Sequence, residues 1–205
     1  MARVDTTPGG NSQIICLPPN LITILRSYLE DPEYLSRPIT ADSMQRTTLV
    51  LGATLTEATI TGTDKYRVDD SFIFLVNKIR AHVKGVTPGT TEALTYAGTA
   101  VVDPEKVRAM RMLNCAVSLA LQSRNEFLVG TQGDNSSDIC LYDLSPANGG
   151  EIDFGEFPAI VPPGESLKLQ VDLIDGDNAL EAAAGAEYGL IVTGLLLRRK
   201  GGKKG

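Results

Sequence analysis

The chain has no tryptophan, a single histidine and only three cysteines, and each shortage excludes something before any pattern is read. A hydrolase that activates a nucleophile needs a base beside it, and His82 alone can supply an imidazole. It stands at the end of a strand-like run beside Val83 and Lys84, where a satisfied or solvent-facing histidine is the ordinary reading. No G-x-S-x-G elbow, Walker loop or dinucleotide fingerprint is present. The pairs Gly9-Gly10, Gly149-Gly150 and Gly201-Gly202 lack the flanking strand and helix that a phosphate cradle requires. Cys16, Cys115 and Cys140 are odd in number and show no C-x-x-C spacing, which argues against zinc and against a disulfide framework. They read as reduced thiols used as small hydrophobes, in keeping with assembly in a cytoplasm. With six Tyr and five Phe, the aromatic platforms of a sugar site are scarce. No run approaches the ~18 apolar residues of a membrane span. Met1 to Ser12, with Pro8, Gly9 and Gly10, has no apolar centre and reads as a polar arm rather than a signal peptide.

What is present suits a globular chain. Hydrophobic residues make up 42% and charged residues 21%, so a core can form, and 205 residues suffice for one substantial domain. Leu, Ile, Val and Ala must fill that core. Twenty Gly and eleven Pro imply frequent turns and an all-β sandwich or barrel. Charge is unevenly placed. The net charge is −6, yet Arg198, Arg199, Lys200, Lys203 and Lys204 put five cations into the last eight residues. Residues 1–197 then hold 14 cations against 25 acids, a balance of −11. An acidic body with a basic, glycine-spaced tail points to an acidic partner: nucleic acid or a neighbouring subunit.

Along the chain, Leu21, Ile22, Ile24, Leu25, Tyr28 and Leu29 follow helical spacing, with Asn20 as cap and Pro32 as stop, which predicts a helix near 20–30. Residues 31–46 read as an irregular connection. Thr47 to Ile60 reads as one bent strand or two short ones around Gly52. Ser71 to Val83 is the longest strand candidate, with Phe72, Phe74, Val76 and Lys78 on one face and Ile73, Leu75, Asn77 and Ile79 on the other. Pro88-Gly89 marks a turn. Leu94 to Val102 reads as a strand, and Asp103-Pro104 as the opening of a short helix to about Met110. Cys115 to Leu121, Glu126 to Val129 and Ile139 to Leu144 read as further strands. Pro162-Pro163-Gly164-Glu165-Ser166 is a turn, followed by the cleanest alternation in the chain, Leu167, Leu169, Val171 and Leu173. Tyr188 to Leu197 is a nearly continuous apolar strand. Leu167, Leu169, Val171, Leu173, Ile191 and Val192 are the expected core. About eight strands result, at the turn spacing of a two-sheet β domain.

The run Phe157 to Val171 (FPAIVPPGESLKLQV), followed by the terminal Tyr-Gly-Leu-Ile-Val-Thr-Gly strand, resembles the closing hairpin of viral, phage-type jelly-roll capsid and capsid-cementing proteins. The resemblance covers about the last fifty residues. It implies a single jelly-roll β-sandwich of about eight antiparallel strands with one short N-terminal helix. It also implies a virion protein assembled in the host cytoplasm, whose partners are copies of itself and other capsid subunits. The expected organisation is an arm at 1–13, one domain at 14–197 and a basic tail at 198–205.

No catalytic, cofactor or metal site is expected. The best oxygen-ligand cluster, Asp175-Gly176-Asp177-Asn178 with Glu181, does not match an EF-hand and reads as a solvated turn. Gly133-Asp134-Asn135 with Asp138 is weaker, and the sequon Asn135-Ser136-Ser137 is expected to go unused. The pairs Glu151/Asp153 and Glu30/Asp31 give no sign of spanning a sugar cleft. Three functions compete: a structural shell protein, a carbohydrate- or ligand-binding sandwich, and a nucleic-acid binder acting through Arg198, Arg199, Lys200, Lys203 and Lys204.

Overall fold

The structure, a computed structural model, describes residues 3–5, 14–17, 19–30, 44–55, 61–85, 94–96, 99–101, 103–130, 139–174 and 186–199. Its elements in chain order are β1 (Arg3–Asp5), β2 (Ile14–Cys16), α1 (Pro19–Leu25), β3 (Met44–Thr54), β4 (Thr61–Arg67), β5 (Phe72–Lys84), β6 (Leu94–Tyr96) and β7 (Thr99–Val101). There follow α2 (Pro104–Leu113), β8 (Cys115–Leu121), β9 (Glu126–Val129), β10 (Ile139–Cys140), β11 (Ile152–Asp153), β12 (Ala159–Val161), β13 (Ser166–Leu173) and β14 (Glu187–Arg198). One sheet runs β11-β5-β14-β3, with β12 also on β5; the other runs β10-β8-β13-β4, with β9 also on β8. All pairings are antiparallel. β1-β2 and β6-β7 are separate two-stranded ribbons, the first lying partly within the stretch expected as an arm.

The inner faces of the two sheets share one apolar core. Leu51, Phe74, Val76, Ile79, Leu190 and Val192 come from one sheet; Val117, Leu119, Leu121, Leu167, Leu169 and Val171 come from the other. The long-range pairing is nested. β3 pairs with β14, β4 with β13, β5 with β12, and β8 with its hairpin neighbour β9, successive pairs alternating between the sheets.

β14 is apolar almost throughout because its later half is covered on both faces. On the outer face Leu195 and Leu197 join Met44, Ile73 and Leu75 in a second cluster with Leu17, which precedes α1, and with Leu21 and Leu25 of α1. That helix begins at Pro19, so Asn20 lies within its first turn instead of capping it, and a single 3-10 turn extends it through Tyr28.

β5 departs from strict alternation. Thr193 is opposite Lys78 and Gly194 is opposite Val76, which leaves Asn77 as the extra residue of a bulge. The bulge reverses parity, so Phe74, Val76 and Ile79 all face the core, while Lys78, expected on the face of Phe72, turns outward. At Gly194 the strands approach so closely that a β-carbon would collide with the carbonyl oxygen of Leu75 and lie 2.8 Å from the Phe74 ring.

Other expectations shift for local reasons. β3 is one strand through Gly52 and starts at Met44. Within Leu94 to Val102, Leu94–Tyr96 and Thr99–Val101 pair antiparallel as β6 and β7 rather than forming one strand. α2 continues to Leu113, with Asp103 Oδ1 accepting from Glu105 N at 3.0 Å and proline in the first turn as expected. Only Ile139 and Cys140 of the run to Leu144 are strand; the rest winds into a 3-10 turn that buries Leu141 and Leu144. β4, with the sequence TGTDKYR, carries no apolar alternation and went unseen, since it is an edge strand half open to solvent. Of the six expected core residues, Leu167, Leu169, Val171 and Val192 are fully buried, whereas Leu173 and Ile191 are partly exposed.

Candidate functional site

The basic end begins inside the fold. Arg198 is the last residue of β14, and its guanidinium carbon lies 5.8 Å from the centre of the Phe72 ring, a cation–π distance. Arg199 donates its N–H to Ser71 O at 2.8 Å and accepts from Glu30 N at 3.2 Å. Its Nε also lies 3.8 Å from Glu30 Oε1. Two of the five candidate cations are therefore anchored, and the body extends two residues past the expected boundary at 197. Lys200, Lys203 and Lys204 lie outside the described residues. Arg199 itself sits beside Glu30, just past the N-terminal helical segment.

The outer face of the β11-β5-β14-β3 sheet carries a groove of about 550 Å³, lined by Arg46, Thr48, Lys78, Asp153, Glu156 and Leu195 among others. Lys78, turned outward by the bulge, sits 2.6 Å from Glu151 Oε1 and 3.0 Å from Asp153 Oδ2. Hydrogen bonds to Glu151 and Asp153 hold its ammonium pKa above the ordinary lysine value. Asp153 is held below the usual carboxylate value, first by the Gly155 N–H and then by Lys78. The Lys78 ammonium thus bridges two carboxylates, Glu151 and Asp153, which both pair with it at this groove.

His82 lies beside a smaller cavity of about 350 Å³, formed where α2 and the turn after β10 meet β5 and lined by Arg80, Arg108, Met112, Tyr142, Ser145 and Ile191 among others. Its Nε2 is 2.9 Å from Glu187 Oε1, so the nitrogen is occupied by a carboxylate, as a satisfied half-buried histidine requires. Arg108 is bridged to Glu105 at 3.2 Å.

The Asp175–Glu181 cluster and the loop from Gly133 to Asp138 lie outside the described residues. Among the described residues, no group of three His, Cys, Asp or Glu could hold a metal ion, and no helix is long and apolar enough to cross a membrane. Cys115 and Cys140 are free thiols. Burial, reinforced by nearby Cys140 and opposed by Arg111, pushes the Cys115 pKa up to about 12.

The sequence reading missed two features. Glu165 ties three loops together at one end of the sandwich, and its signal (a charged residue inside a proline-glycine turn) looks like any solvated turn. The free edge of β3 also went unnoticed, because it depends on which strand ends each sheet. Comparison of the chain with known protein families, with characterised proteins and with solved structures finds no match.

Proposed function

We propose that this chain is a single jelly-roll structural protein of a virion shell, forming or clamping the lattice through contacts with copies of itself. The observation that carries the reading is the nested pairing of β3 with β14, β4 with β13, β5 with β12 and β8 with β9 across two sheets. A long hairpin folded over on itself gives this order, and it is the logic of the jelly roll, an architecture used by capsid proteins among others. Three further features support the reading. The core is filled by side chains from both sheets. The body is acidic while its C-terminal segment is basic. That segment follows an anchored residue, Arg199, and its charge suits an acidic neighbour or an encapsidated polyanion. The proposed location is the virion, after assembly in the host cytoplasm.

Light scattering and negative-stain microscopy of the purified chain test this. Closed shells or defined small oligomers are the expected result. A monomer at every concentration and salt would overturn the reading. The cavity beside His82 favours a second reading, a carbohydrate- or ligand-binding sandwich, since its size falls within the range of small-molecule sites. Glycan-array binding by a monomeric protein would favour that alternative.

A further inference from the structure

β3 ends its sheet, and its geometry specifies which backbone groups face outward. Its register with β14 runs without a shift from Met44 to Thr54. Gly52 N donates to Asp64 Oδ2 at 3.1 Å, so the N–H at position 52 points away from β14 and toward the free side. Backbone groups alternate along a strand. Arg46, Thr48 and Val50 therefore present their N–H and C=O groups to the free side as well. No hydrogen bond to these groups is found among the described residues. The side chains of all three are exposed, Val50 by 51%.

Proteins normally blunt such edges with short strands, charges or proline. The other edges here follow that rule. β11 and β10 have two residues each, β12 three and β9 four, and β4 carries Asp64, Lys65 and Arg67. β3 has eleven residues, no proline and one charge, Arg46. Asp64 protects only its Gly52 end.

We propose that this edge is an interface between two copies of the chain, β3 pairing antiparallel with β3 of a second copy about a two-fold axis at Thr48. The idea rests on the assembly reading and specifies the surface that it uses. The sequence is self-complementary in this register. Thr48 meets its own copy, and Arg46 falls opposite the partner's Val50, so that the single cation never faces itself. Three opposed pairs of outward-facing residues give about six backbone hydrogen bonds and join two sheets into one. An isologous two-fold contact of this kind closes on itself and leaves the rest of the body free for other contacts.

The test is sedimentation velocity on the full chain and three variants, with circular dichroism and melting temperature as controls of folding. Val50→Lys places a lysine opposite Arg46 twice in the interface and is expected to weaken self-association about tenfold. The double variant Arg46→Glu/Val50→Lys turns each repulsive pair into an attractive one and is expected to restore association. Thr48→Pro deletes the central donor on an edge where the folded monomer tolerates proline, and it is expected to weaken association as well. Association unchanged in Val50→Lys, or a double variant no better than that single one, overturns the proposal while leaving the assembly reading intact. So does association that survives Val50→Lys but is lost on deleting residues 1–12, which would assign the contact to the arm. A wild-type chain that never self-associates overturns both.

Discussion

The carboxylate of Glu165 closes on Ser123 across 42 residues of sequence, accepting from the Ser123 backbone N–H at 3.0 Å and from its hydroxyl. It also accepts from Ser166 N at 2.8 Å, and the residue is only 6% exposed. Around it Val68 N donates to Glu165 O at 2.8 Å, and Gln122 N donates to Ser166 O at 2.9 Å. One residue thus ties three segments: its carboxylate joins the turn before β13 to the turn after β8, and its backbone carbonyl holds the link between β4 and β5. Burial alone would raise its pKa. The hydrogen bonds from Ser123 and Ser166, with the charge of Arg124, outweigh that and leave it below the usual glutamate value.

This clamp predicts acid lability. A carboxyl whose folded pKa is depressed contributes stability above its unfolded value, near 4.5, and loses that contribution as pH falls through the folded value. Melting temperature should therefore decline below about pH 4.5, and Glu165→Gln should flatten that decline. At neutral pH, Glu165→Ala leaves Ser123 and Ser166 donors unmet and should cost about 2–3 kcal/mol, or roughly 4–12 °C in melting temperature. An unchanged acid limb in Glu165→Gln would remove the clamp from the argument.

A second prediction concerns the bulge at Asn77. Gly194→Ala drives a β-carbon into the Leu75 carbonyl and the Phe74 ring, both in the sheet interior. Neither neighbour is a flexible chain end, so the strands must separate. A loss of about 1–3 kcal/mol or more is expected by thermal or urea unfolding. A melting temperature equal to wild type would mean that the strands are farther apart than described.

These two sites mark where the sequence was legible and where it was not. Strands with period-two burial, such as β13, and the proline-glycine turn before it can be read directly, because alternation and turn chemistry are local properties. The parity of β5 was not legible beyond Val76, since a bulge depends on the strand opposite. β4 was hidden because an edge strand gains little from apolar residues. Glu165 gave no signal of its own: Ser123, which supplies two of its donors, lies on another turn, and only the fold brings them together. The basic residues were visible as a cluster, but the division between anchored Arg198 and Arg199 and the segment beyond them depends on Phe72, Ser71 and Glu30.

A third prediction concerns the thiols. Cys115 is buried with its pKa raised to about 12, so it stays protonated and shielded at neutral pH. Iodoacetamide at pH 8 followed by peptide mass spectrometry should leave Cys115 unmodified in the folded protein and label it after denaturation. Cys140, half-buried with its Sγ 3.3 Å from the carbonyl oxygens of Met112 and Leu113, should react slowly. A thiol with a raised folded pKa contributes stability below its unfolded value and loses it as pH rises through the folded one. Alkaline stability should accordingly fall between about pH 9 and 12. Rapid native labelling of Cys115 would contradict its place in the core.

The last prediction separates the anchor from the tail. Deleting 198–205 removes the Arg198 contact with Phe72 and both backbone hydrogen bonds of Arg199, to Ser71 and from Glu30. At about 0.5–1.5 kcal/mol per hydrogen bond and about 0.5–1 kcal/mol for the cation–π contact, the cost should reach a few kcal/mol, visible as a drop of several degrees in melting temperature. Deleting 200–205 removes none of these contacts and should leave the melting temperature unchanged. It removes Lys200, Lys203 and Lys204, the cations beyond the anchor. Contacts between exposed charges are screened over about 8 Å at physiological salt, so any association that depends on these lysines must weaken as salt rises. The shorter deletion should therefore lower oligomer size at low salt and reduce the difference between low and high salt. Equal melting temperatures for the two deletions would deny the anchor at Arg199. An unchanged salt dependence in the 200–205 deletion would exclude the lysines from assembly while leaving the β3 edge to be judged on its own variants.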